Sequence, residues 1–372
     1  MSEGKRIHPH PVAPNPPLAD NRAVPANQSR HVRSLDEADV QHESEWGSIR
    51  RLTKDTFPIL ERLSIKRLTI APGAIREPHW HANADELTYC LAGDVLVSIL
   101  DNADVFASFT LTAGEMFHVQ SGSLHHIENT GDTTAELIVV FSHESPEDFS
   151  LHGAFGAMSD AVLGNAYGLP AADFAPLTRD TTSPDVVPGV GAPVVSDRAG
   201  FPDPHKFSVE ASAPPLDYPF GNARLARVQA WPALRSVSMY SLRIETTGMR
   251  EPHWHPETAE LGFVQQGRAR MSILDPDGSV DTYSLKPGDV YFVPRAYPHQ
   301  IEVIGDEEIH FLIFFDQNTP GDIGYRASAS AFSPRVLASV FGVSEDTLPD
   351  FPFTPIDPLI VKRENPVDPV EG

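Results

Sequence analysis

The sequence predicts an all-β protein made of two tandem barrels of the jelly-roll type, each followed by a short helical tail. Three observations predict this fold: an internal repeat at a constant offset, short apolar runs separated by turn residues, and a His-x-His motif that occurs in each half. A repeat of such length defines structural units and is therefore interpreted before any single element.

The repeat relates residues that are 174 positions apart. The stretch Glu77-Pro-His-Trp-His81 returns as Glu251-Pro-His-Trp-His255, and both 253 − 79 and 299 − 125 equal 174. The same offset carries Gly168 onto Gly342, so no net insertion separates the two copies over this span. One barrel has been duplicated with its His-containing core intact.

The first copy consists of apolar runs of strand length, bounded by turns such as Pro72-Gly73 and Ala92-Gly93-Asp94. Residues predicted as strands are 64–71, 86–91, 95–100, 107–111, 115–119, 125–128 and 135–141. The second copy repeats this order, with Asp275-Pro-Asp-Gly278 as a hairpin turn. Seven short strands without intervening helices favour a barrel or jelly roll.

Apolar residues at helical spacing predict one helix after each barrel, over residues 154–166 and 330–340. Residues 181–215 are rich in Pro, Gly, Ser and Asp, which is typical of a linker. The predicted segments are a Pro-rich N-terminal arm (1–45), a first domain (46–180), the linker (181–215) and a second domain (216–372).

The charge balance and the hydrophobicity restrict the partners. The 372 residues include 51 acidic and 28 basic ones, a net charge of −23, which disfavours nucleic acid and anionic membranes. Cys90 is the single cysteine, so no disulfide framework is predicted. No run approaches the roughly 18 apolar residues of a spanning helix, and the N-terminus lacks an apolar export signal. We therefore expect a soluble, cytoplasmic protein.

The His-x-His motifs predict two metal sites. Alternate side chains of a strand share one face, so both histidines of each motif point the same way, and a Glu and a third His follow downstream. The predicted ligand sets are His79, His81, Glu86 and His125, and His253, His255, Glu260 and His299. The alternative is that these are ordinary core or surface histidines, against which two full sets in register argue.

Three imidazoles and one carboxylate suit Mn(II) or Fe(II), and such a set also accepts Zn, Co, Ni or Cu. The spacings resemble the cupin motifs. The first cupin motif is matched by Gly73, His79, His81, Glu86 and Gly93, and the second by Gly114, Gly122, His125 and Asn129. In the second half, Thr247, Ala296 and Val303 replace two Gly and one Asn, which concerns loop shape more than metal binding.

The chain resembles bicupins and, through residues 74–81 and 249–255, the oxalate decarboxylase family, over about residues 50–345. The resemblance implies two cupin domains, each a double-stranded β-helix, with one Mn(II) per domain or Fe(II) in its place. It also implies a lyase that converts oxalate to formate and carbon dioxide with dioxygen as a partner. Assembly into a homo-oligomer, a trimer or hexamer, is implied as well.

In that family an Arg binds the substrate carboxylate, which here implies Arg76 in the first site and Arg250 in the second. A guanidinium offers a bidentate fork to a carboxylate. The alternative is a structural ion pair with a neighbour such as Glu77. A loop acid that moves a proton is also implied, and Glu144 and Glu147 on residues 142–150 are the candidates, with Glu144 preferred.

Two other functions remain open. One is a cupin oxidase or dioxygenase that acts on another small acid or an aromatic diol. The other is a non-enzymatic metal-binding storage protein, although such proteins often lose ligands and this chain keeps all eight. The substrate depends on the pocket, for which Tyr89, Phe117, Phe263 and Tyr291 are the predicted lining residues.

Overall fold

A computed structural model describes residues 30–365, which divide into two compact units. The first barrel comprises Glu37–Ser212 and Ala226–Val237, and the second barrel comprises residues 30–36, Ala213–Leu225 and residues 238–365. The strands up to residue 212 are β1 (Val32–Ser34), β2 (Asp39–Ser44), β3 (Gly47–Leu52), β4 (Ser64–Ile70), β5 (Ala74–His81), β6 (Glu86–Ala92), β7 (Val95–Asp101), β8 (Val105–Leu111), β9 (Met116–Val119), β10 (Leu124–Asn129), β11 (Ala135–Phe141), β12 (Asp148–Ser150), β13 (Val186–Pro188) and β14 (Lys206–Phe207).

The remaining strands are β15 (Leu216–Tyr218), β16 (Gly221–Ala226), β17 (Ser238–Ile244), β18 (Gly248–Trp254), β19 (Glu260–Gln266), β20 (Arg268–Leu274), β21 (Val280–Leu285), β22 (Asp289–Val293), β23 (His299–Ile304), β24 (Ile309–Phe315), β25 (Ile323–Gly324) and β26 (Ile360–Lys362). The helices are α1 (Leu151–Gly156), α2 (Asp160–Tyr167), α3 (Tyr325–Ser330) and α4 (Pro334–Phe341). Among the described residues, no helix is long and apolar enough to cross a membrane.

Each barrel consists of two sheets. In the first barrel their orders are β12-β5-β10-β7-β8, with β13 also on β5, and β14-β9-β6-β11-β4-β3-β2. In the second barrel they are β21-β20-β23-β18-β25, with β26 also on β18, and β1-β22-β19-β24-β17-β16-β15. The prediction of an all-β fold with two barrels is confirmed.

The core of the first barrel lies between its two sheets. Val95, Val97 and Ile99 on β7 alternate with outward residues and pack in one cluster with Leu137 and Phe141 of β11 in the other sheet. Burying each such side chain contributes about 1.5–3 kcal/mol. The packed walls fix the strands from which the polar side chains of the site project.

The helical tails differ from the prediction, because each one is two short helices rather than one. The hydroxyls of Ser159 and Ser333 each accept a hydrogen bond from a backbone N–H three residues on, and so begin α2 and α4. Gly168 and Gly342 end these helices in the left-handed conformation. The predicted helical tails over 154–166 and 330–340 are present, but each is interrupted, because the serine caps start a second helix.

Two segments outside the predicted domains add strands to the barrels. Strand β1, from the predicted arm, pairs with β22, and β13 and β14, from the predicted linker, pair with β5 and β9. The carbonyls of His31 and His205, again 174 residues apart, accept hydrogen bonds from the backbone N–H of Phe292 and His118. The repeat therefore extends into both segments. Residues 1–29 of the predicted arm and 366–372 of the predicted second domain lie outside the described residues.

Candidate metal centres

The predicted ligands of the first barrel converge on one point. On β5, His79 and His81 are 4% and 2% exposed and face inward, and β10 places His125 directly opposite His79. Glu86 is the first residue of β6. One ligand atom from each of these four residues lies within 4.8 Å of the others.

In each of the three imidazoles, Nδ1 contacts an oxygen of the protein. Nδ1 of His79 donates to the carbonyl of Glu77 (2.8 Å), and Nδ1 of His125 donates to the carbonyl of Ser123 (3.0 Å). Nδ1 of His81 lies 2.6 Å from Oδ1 of Asp148. An imidazole that donates from Nδ1 presents Nε2 as its ligand atom. The set is therefore oriented for a cation at its centre.

The charges of the first site also suit a cation. Oε2 of Glu86 lies 2.8 Å from Nε2 of His81 and 3.2 Å from Nε2 of His125. Burial lowers the pKa of His81, but its contacts with Asp148 and Glu86 outweigh burial and raise it. For Glu86, burial opposes ionisation, but His125 and His81 hold its pKa well below the usual range. A bound metal would take the place of the positive charge that a protonated imidazole otherwise supplies.

The second barrel repeats the arrangement. Nδ1 of His253 donates to the carbonyl of Glu251 (2.8 Å), and Nε2 of His255 lies 2.7 Å from Oε2 of Glu260. Nε2 of His253 is buried and has no hydrogen-bond partner among the described residues. Burial lowers the pKa of His255, but Asp322 and Glu260 raise it to about 9. A buried bare nitrogen beside a carboxylate fits a metal ion.

The other carboxylate oxygen of each Glu is anchored by a hydroxyl. Thr88 donates to Oε1 of Glu86 (2.7 Å), and Tyr291 donates to Oε1 of Glu260 (2.6 Å). Such contacts keep Oε2 directed at the imidazoles.

Ala296, which replaces the Gly122 of the first half, has a φ of 66°, so this loop keeps its left-handed turn despite the substitution.

Arg76 and Arg250 line the two cavities next to these ligands. Arg76 is 4% exposed, and its Nη1 lies 3.2 Å from a carboxylate oxygen of Asp185. Arg250 is 7% exposed, and its Nη2 lies 3.2 Å from Oδ1 of Asp322. Each guanidinium thus forms a structural ion pair, with Asp185 or Asp322 rather than with Glu77 or its counterpart, and each also lines a cavity.

The cavities differ from the prediction in their walls. The first is lined by Ile49, Lys66, Leu68, Arg76, His79, His81, Glu86, Ile127, Val139 and Phe141. The second is lined by Leu216, Ala223, Tyr240, Leu242, Arg250, His253, His255, Glu260, Ile301, Ile313, Phe315, Leu359 and Ile360. The predicted lining residues Tyr89, Phe117, Phe263 and Tyr291 are absent from both walls, although Tyr291 contacts the second centre through its hydrogen bond to Oε1 of Glu260.

The structure does not bring the two candidate loop acids to the first cavity. Oε2 of Glu144 accepts a hydrogen bond from the backbone N–H of Arg62 (2.8 Å), and Oε1 lies 3.9 Å from Nζ of Lys54. Glu147 is exposed to solvent. The acid that reaches the site is Asp148, which the sequence prediction missed.

Asp148 and Asp322 could have been found by the repeat, since they too are 174 residues apart. The Asp148 side chain is 23% exposed, and it contacts both His81 and Lys66 at 2.6 Å. Burial opposes its ionisation, but Lys66 and His81 hold its pKa below the usual range. Asp148 orients the His81 imidazole, whereas Nδ1 of His255 donates to the carbonyl of Gly321 (3.1 Å) and also lies 2.7 Å from Oδ1 of Asp322.

Comparisons with known proteins agree with this geometry. The Cupin family model matches residues 33–173 and 208–348. Oxalate decarboxylase OxdC of Bacillus subtilis is 28% identical over 74% of this chain and 73% of its own length. A probable oxalate decarboxylase of Arthroderma benhamiae is 24% identical over 74% of this chain and 70% of its own. A solved structure of the S161A mutant of Bacillus subtilis OxdC has a TM-score of 0.79 at 24% identity, covering 90% of this chain and 89% of that one.

Proposed function

Because this chain belongs to the cupin family, we propose that it is a metal-dependent bicupin enzyme that splits oxalate into carbon dioxide and formate. The observation that carries the proposal is that each barrel keeps a complete buried His₃Glu set next to a buried arginine. The relatives named as oxalate decarboxylases align with 74% of this chain, at 28% and 24% identity. A storage protein has no need of both features together.

We propose Mn(II) at both centres, with Fe(II) as the second choice. Neutral imidazoles and a carboxylate suit these metals, and one of the solved structures of Bacillus subtilis OxdC concerns its Mn(II) centres. His79, His81, Glu86 and His125 hold the first ion, and His253, His255, Glu260 and His299 hold the second. A bound metal would supply Lewis-acid and one-electron redox chemistry, with dioxygen as a co-reactant.

The chain itself contributes substrate binding and the exclusion of water. In the first cavity Arg76 is a fixed cation for a carboxylate, and a guanidinium–carboxylate pair is strong because its hydrogen bonds are charge-assisted. The cavity lining also includes the apolar side chains of Ile127, Val139 and Phe141. Such a small cavity with a fixed charge suits a small acid rather than an aromatic diol.

Formate formation also requires an acid that delivers a proton to carbon, and we propose that the loop of residues 142–150 carries it. Glu144 and Glu147 are the candidates, and both lie outside the cavity in this conformation of the loop. The proposal therefore requires the loop to rearrange when substrate binds. A general acid usually contributes about 100- to 10,000-fold.

The position of these acids favours a second candidate function. If no acid delivers the proton, oxidation of oxalate by dioxygen yields carbon dioxide and hydrogen peroxide instead of formate. The present placement of Glu144 and Glu147 outside the cavity is compatible with an oxidase. The two functions give different products from one substrate.

The test is product analysis of the Mn(II)-loaded protein with oxalate under air. We expect formate in excess of peroxide, and formate production should fall at least 100-fold in Glu144→Gln or Glu147→Gln with metal content unchanged. Peroxide as the main product establishes the oxidase, and unchanged product formation in both variants removes Glu144 and Glu147 from the mechanism. No product from oxalate at all refutes both functions.

We also propose that the protein is a homo-oligomer, a trimer or hexamer. The support is the exposed apolar side chains on and next to the short helices, among them Val340 and Phe341 of α4, which are 71% and 62% exposed. Light scattering at micromolar concentration measures the mass. The mass of a single chain contradicts the proposal.

A further inference from the structure

The two cavities differ in one charged residue. Lys66 on β4 lines the first cavity, and the residue 174 positions later, Tyr240 on β17, lines the second. Around them the ligand sets, the arginines and the orienting Asp residues correspond between the halves. The difference therefore separates the two cavities chemically while their metal centres remain alike.

Lys66 is deeply placed. It is 6% exposed, its Nζ lies 2.6 Å from Oδ2 of Asp148, and the ammonium lies 5.0 Å from the centre of the Phe141 ring. In the second barrel the ring of Tyr240 packs against Phe315 instead, with 4.8 Å between ring centres. A tyrosine ring thus takes the place of the ammonium.

Stability does not explain a lysine at this position. Taking an ammonium out of water costs several kcal/mol, and replacing a buried ion pair by apolar groups is often neutral or stabilising. The second barrel, with Tyr240, shows that the fold forms without the charge. The lysine therefore calls for a functional explanation.

The first cavity also has hydrogen-bond donors that the described residues leave unused. An ammonium has three N–H donors, and Asp148 is the one acceptor that the described residues give Lys66. Nη1 of Arg76 donates to the carbonyl of Asp185 at 3.1 Å, whereas the described residues give its Nη2 no partner. Two buried cations thus keep donors for an acid in the cavity.

The second cavity keeps fewer donors. Nη1 of Arg250 donates to the carbonyl of Leu359 (2.9 Å), and Nη2 lies 3.2 Å from Oδ1 of Asp322, so both terminal nitrogens are engaged. Tyr240 carries no positive charge. An acid with two carboxylates therefore finds two cations in the first cavity and one in the second.

The two cations of the first cavity also act on each other. Burial lowers the pKa of Lys66, Asp148 opposes this, and the nearby Arg76 guanidinium lowers the pKa further. Like charges in a medium of low polarity repel strongly. An anion between them relieves the repulsion, which adds to its binding.

We propose that Lys66 is a substrate-binding residue that, together with Arg76, makes the first cavity selective for a small dicarboxylate over a monocarboxylate. The proposal rests on the proposed function, and it assigns the dicarboxylate to the first barrel. Arg76 holds one carboxylate and Lys66 the other. The residue acts by charge and hydrogen bonding.

The test compares binding of oxalate and acetate to the Mn(II)-loaded wild type, Lys66→Met and Lys66→Arg. Calorimetry under argon gives the dissociation constants, and metal content is measured before and after titration. Loss of a charge-assisted hydrogen bond should weaken oxalate binding by about 10- to 100-fold in Lys66→Met and acetate binding by less than about threefold. Lys66→Arg should recover most of the affinity, and the matched second-barrel variant, Tyr240→Phe, should leave it unchanged.

A double variant, Lys66→Met with Asp148→Asn, removes the carboxylate that Lys66→Met leaves unpaired. If the double variant, compared at equal Mn(II) occupancy, binds oxalate as weakly as Lys66→Met, the lost affinity belongs to the lysine. Recovery of wild-type affinity in the double variant overturns the proposal, because repulsion by Asp148 then explains the loss. An oxalate affinity of Lys66→Met within about twofold of the wild type also overturns it.

These outcomes are separate from those of the proposed function. A wild type that binds oxalate without forming formate or peroxide refutes the function, while the comparison of variants still decides the role of Lys66. If the wild type turns over oxalate and Lys66→Met binds oxalate as tightly as the wild type, only the proposed role of Lys66 is refuted. A wild type that does not bind oxalate refutes both.

Discussion

The orientation of His81 by Asp148 leads to a site-specific prediction about metal affinity. In Asp148→Asn the amide oxygen can still accept a hydrogen bond from Nδ1 of His81, which lies 2.6 Å from Oδ1. The amide nitrogen then faces Nζ of Lys66, which lies 2.6 Å from Oδ2. The amide N–H and the ammonium of Lys66 are both donors, and the negative charge of Asp148 is lost. The side chain of the variant can therefore accept a hydrogen bond from His81 or from Lys66, but not from both.

The expected magnitude follows from what this contact does. Replacing the residue that orients a metal-ligating histidine typically costs 10- to 100-fold in metal affinity, and each tenfold change is about 1.4 kcal/mol. We therefore expect the dissociation constant of the first centre to rise about 10- to 100-fold. The second centre, whose ligands are in the other barrel, should keep its affinity.

The matched variant in the second barrel should lose less. His255 has a second acceptor, since its Nδ1 also lies 3.1 Å from the carbonyl of Gly321, and Arg250 keeps the carbonyl of Leu359. Asp322→Asn therefore leaves both partners with one hydrogen bond. We expect its effect on the second centre to be smaller than that of Asp148→Asn on the first.

The assay measures each centre alone. Competition with a chromophoric chelator for Mn(II) is carried out with Asp148→Asn in a Glu260→Ala background, and with Asp322→Asn in a Glu86→Ala background. The parents with Glu260→Ala or Glu86→Ala alone are the controls. The reasoning fails if Asp148→Asn binds the metal within twofold of its parent, or if Asp322→Asn loses more than Asp148→Asn does.

Two further predictions concern the centres and the core. Glu86→Ala and Glu260→Ala should each lose the ion of their own barrel, so elemental analysis should fall from two metal ions per chain to one; loss of both ions from either variant contradicts independent centres. Burial lowers the pKa of His118 from 6.5 to about 4, so the unfolded chain binds a proton in this range that the folded chain does not. The free energy of unfolding should therefore fall by about 3 kcal/mol as the pH drops from 6.5 to 4. His118→Phe, which introduces the residue found at the corresponding position 292 of the second barrel, should remove that part of the pH dependence in urea unfolding, and an unchanged dependence refutes it.

Much of the site could be predicted from the sequence, because its ligands follow from local backbone geometry. Side chains of a strand alternate with a period of two, so His79 and His81 share a face in any extended conformation. The constant offset then locates the second set at His253 and His255 without further assumptions. Seven of the eight strands between 64 and 141 were predicted close to their observed bounds, whereas β5 (Ala74–His81) was not among the predicted strand ranges.

The additional strands were beyond prediction from local patterns. β13 and β14 lie in a stretch rich in Pro and Gly whose composition is that of a linker, and they are strands because the edges of β5 and β9 offer them backbone partners. An edge strand presents unpaired N–H and C=O groups, and a distant segment satisfies them. The local sequence of this segment does not predict that pairing.

By itself the sequence determined which eight residues form the two ligand sets and that two barrels carry them, since the strand period and the repeat are local or linear properties. It also contained the difference between Lys66 and Tyr240. Only the tertiary structure decided that this difference lies in a cavity wall, that Asp148 rather than Glu144 contacts His81, and that Glu144 contacts Arg62. The physical reason is that the partners of a buried charge come from segments distant in sequence, and packing of the whole barrel decides which of them meet.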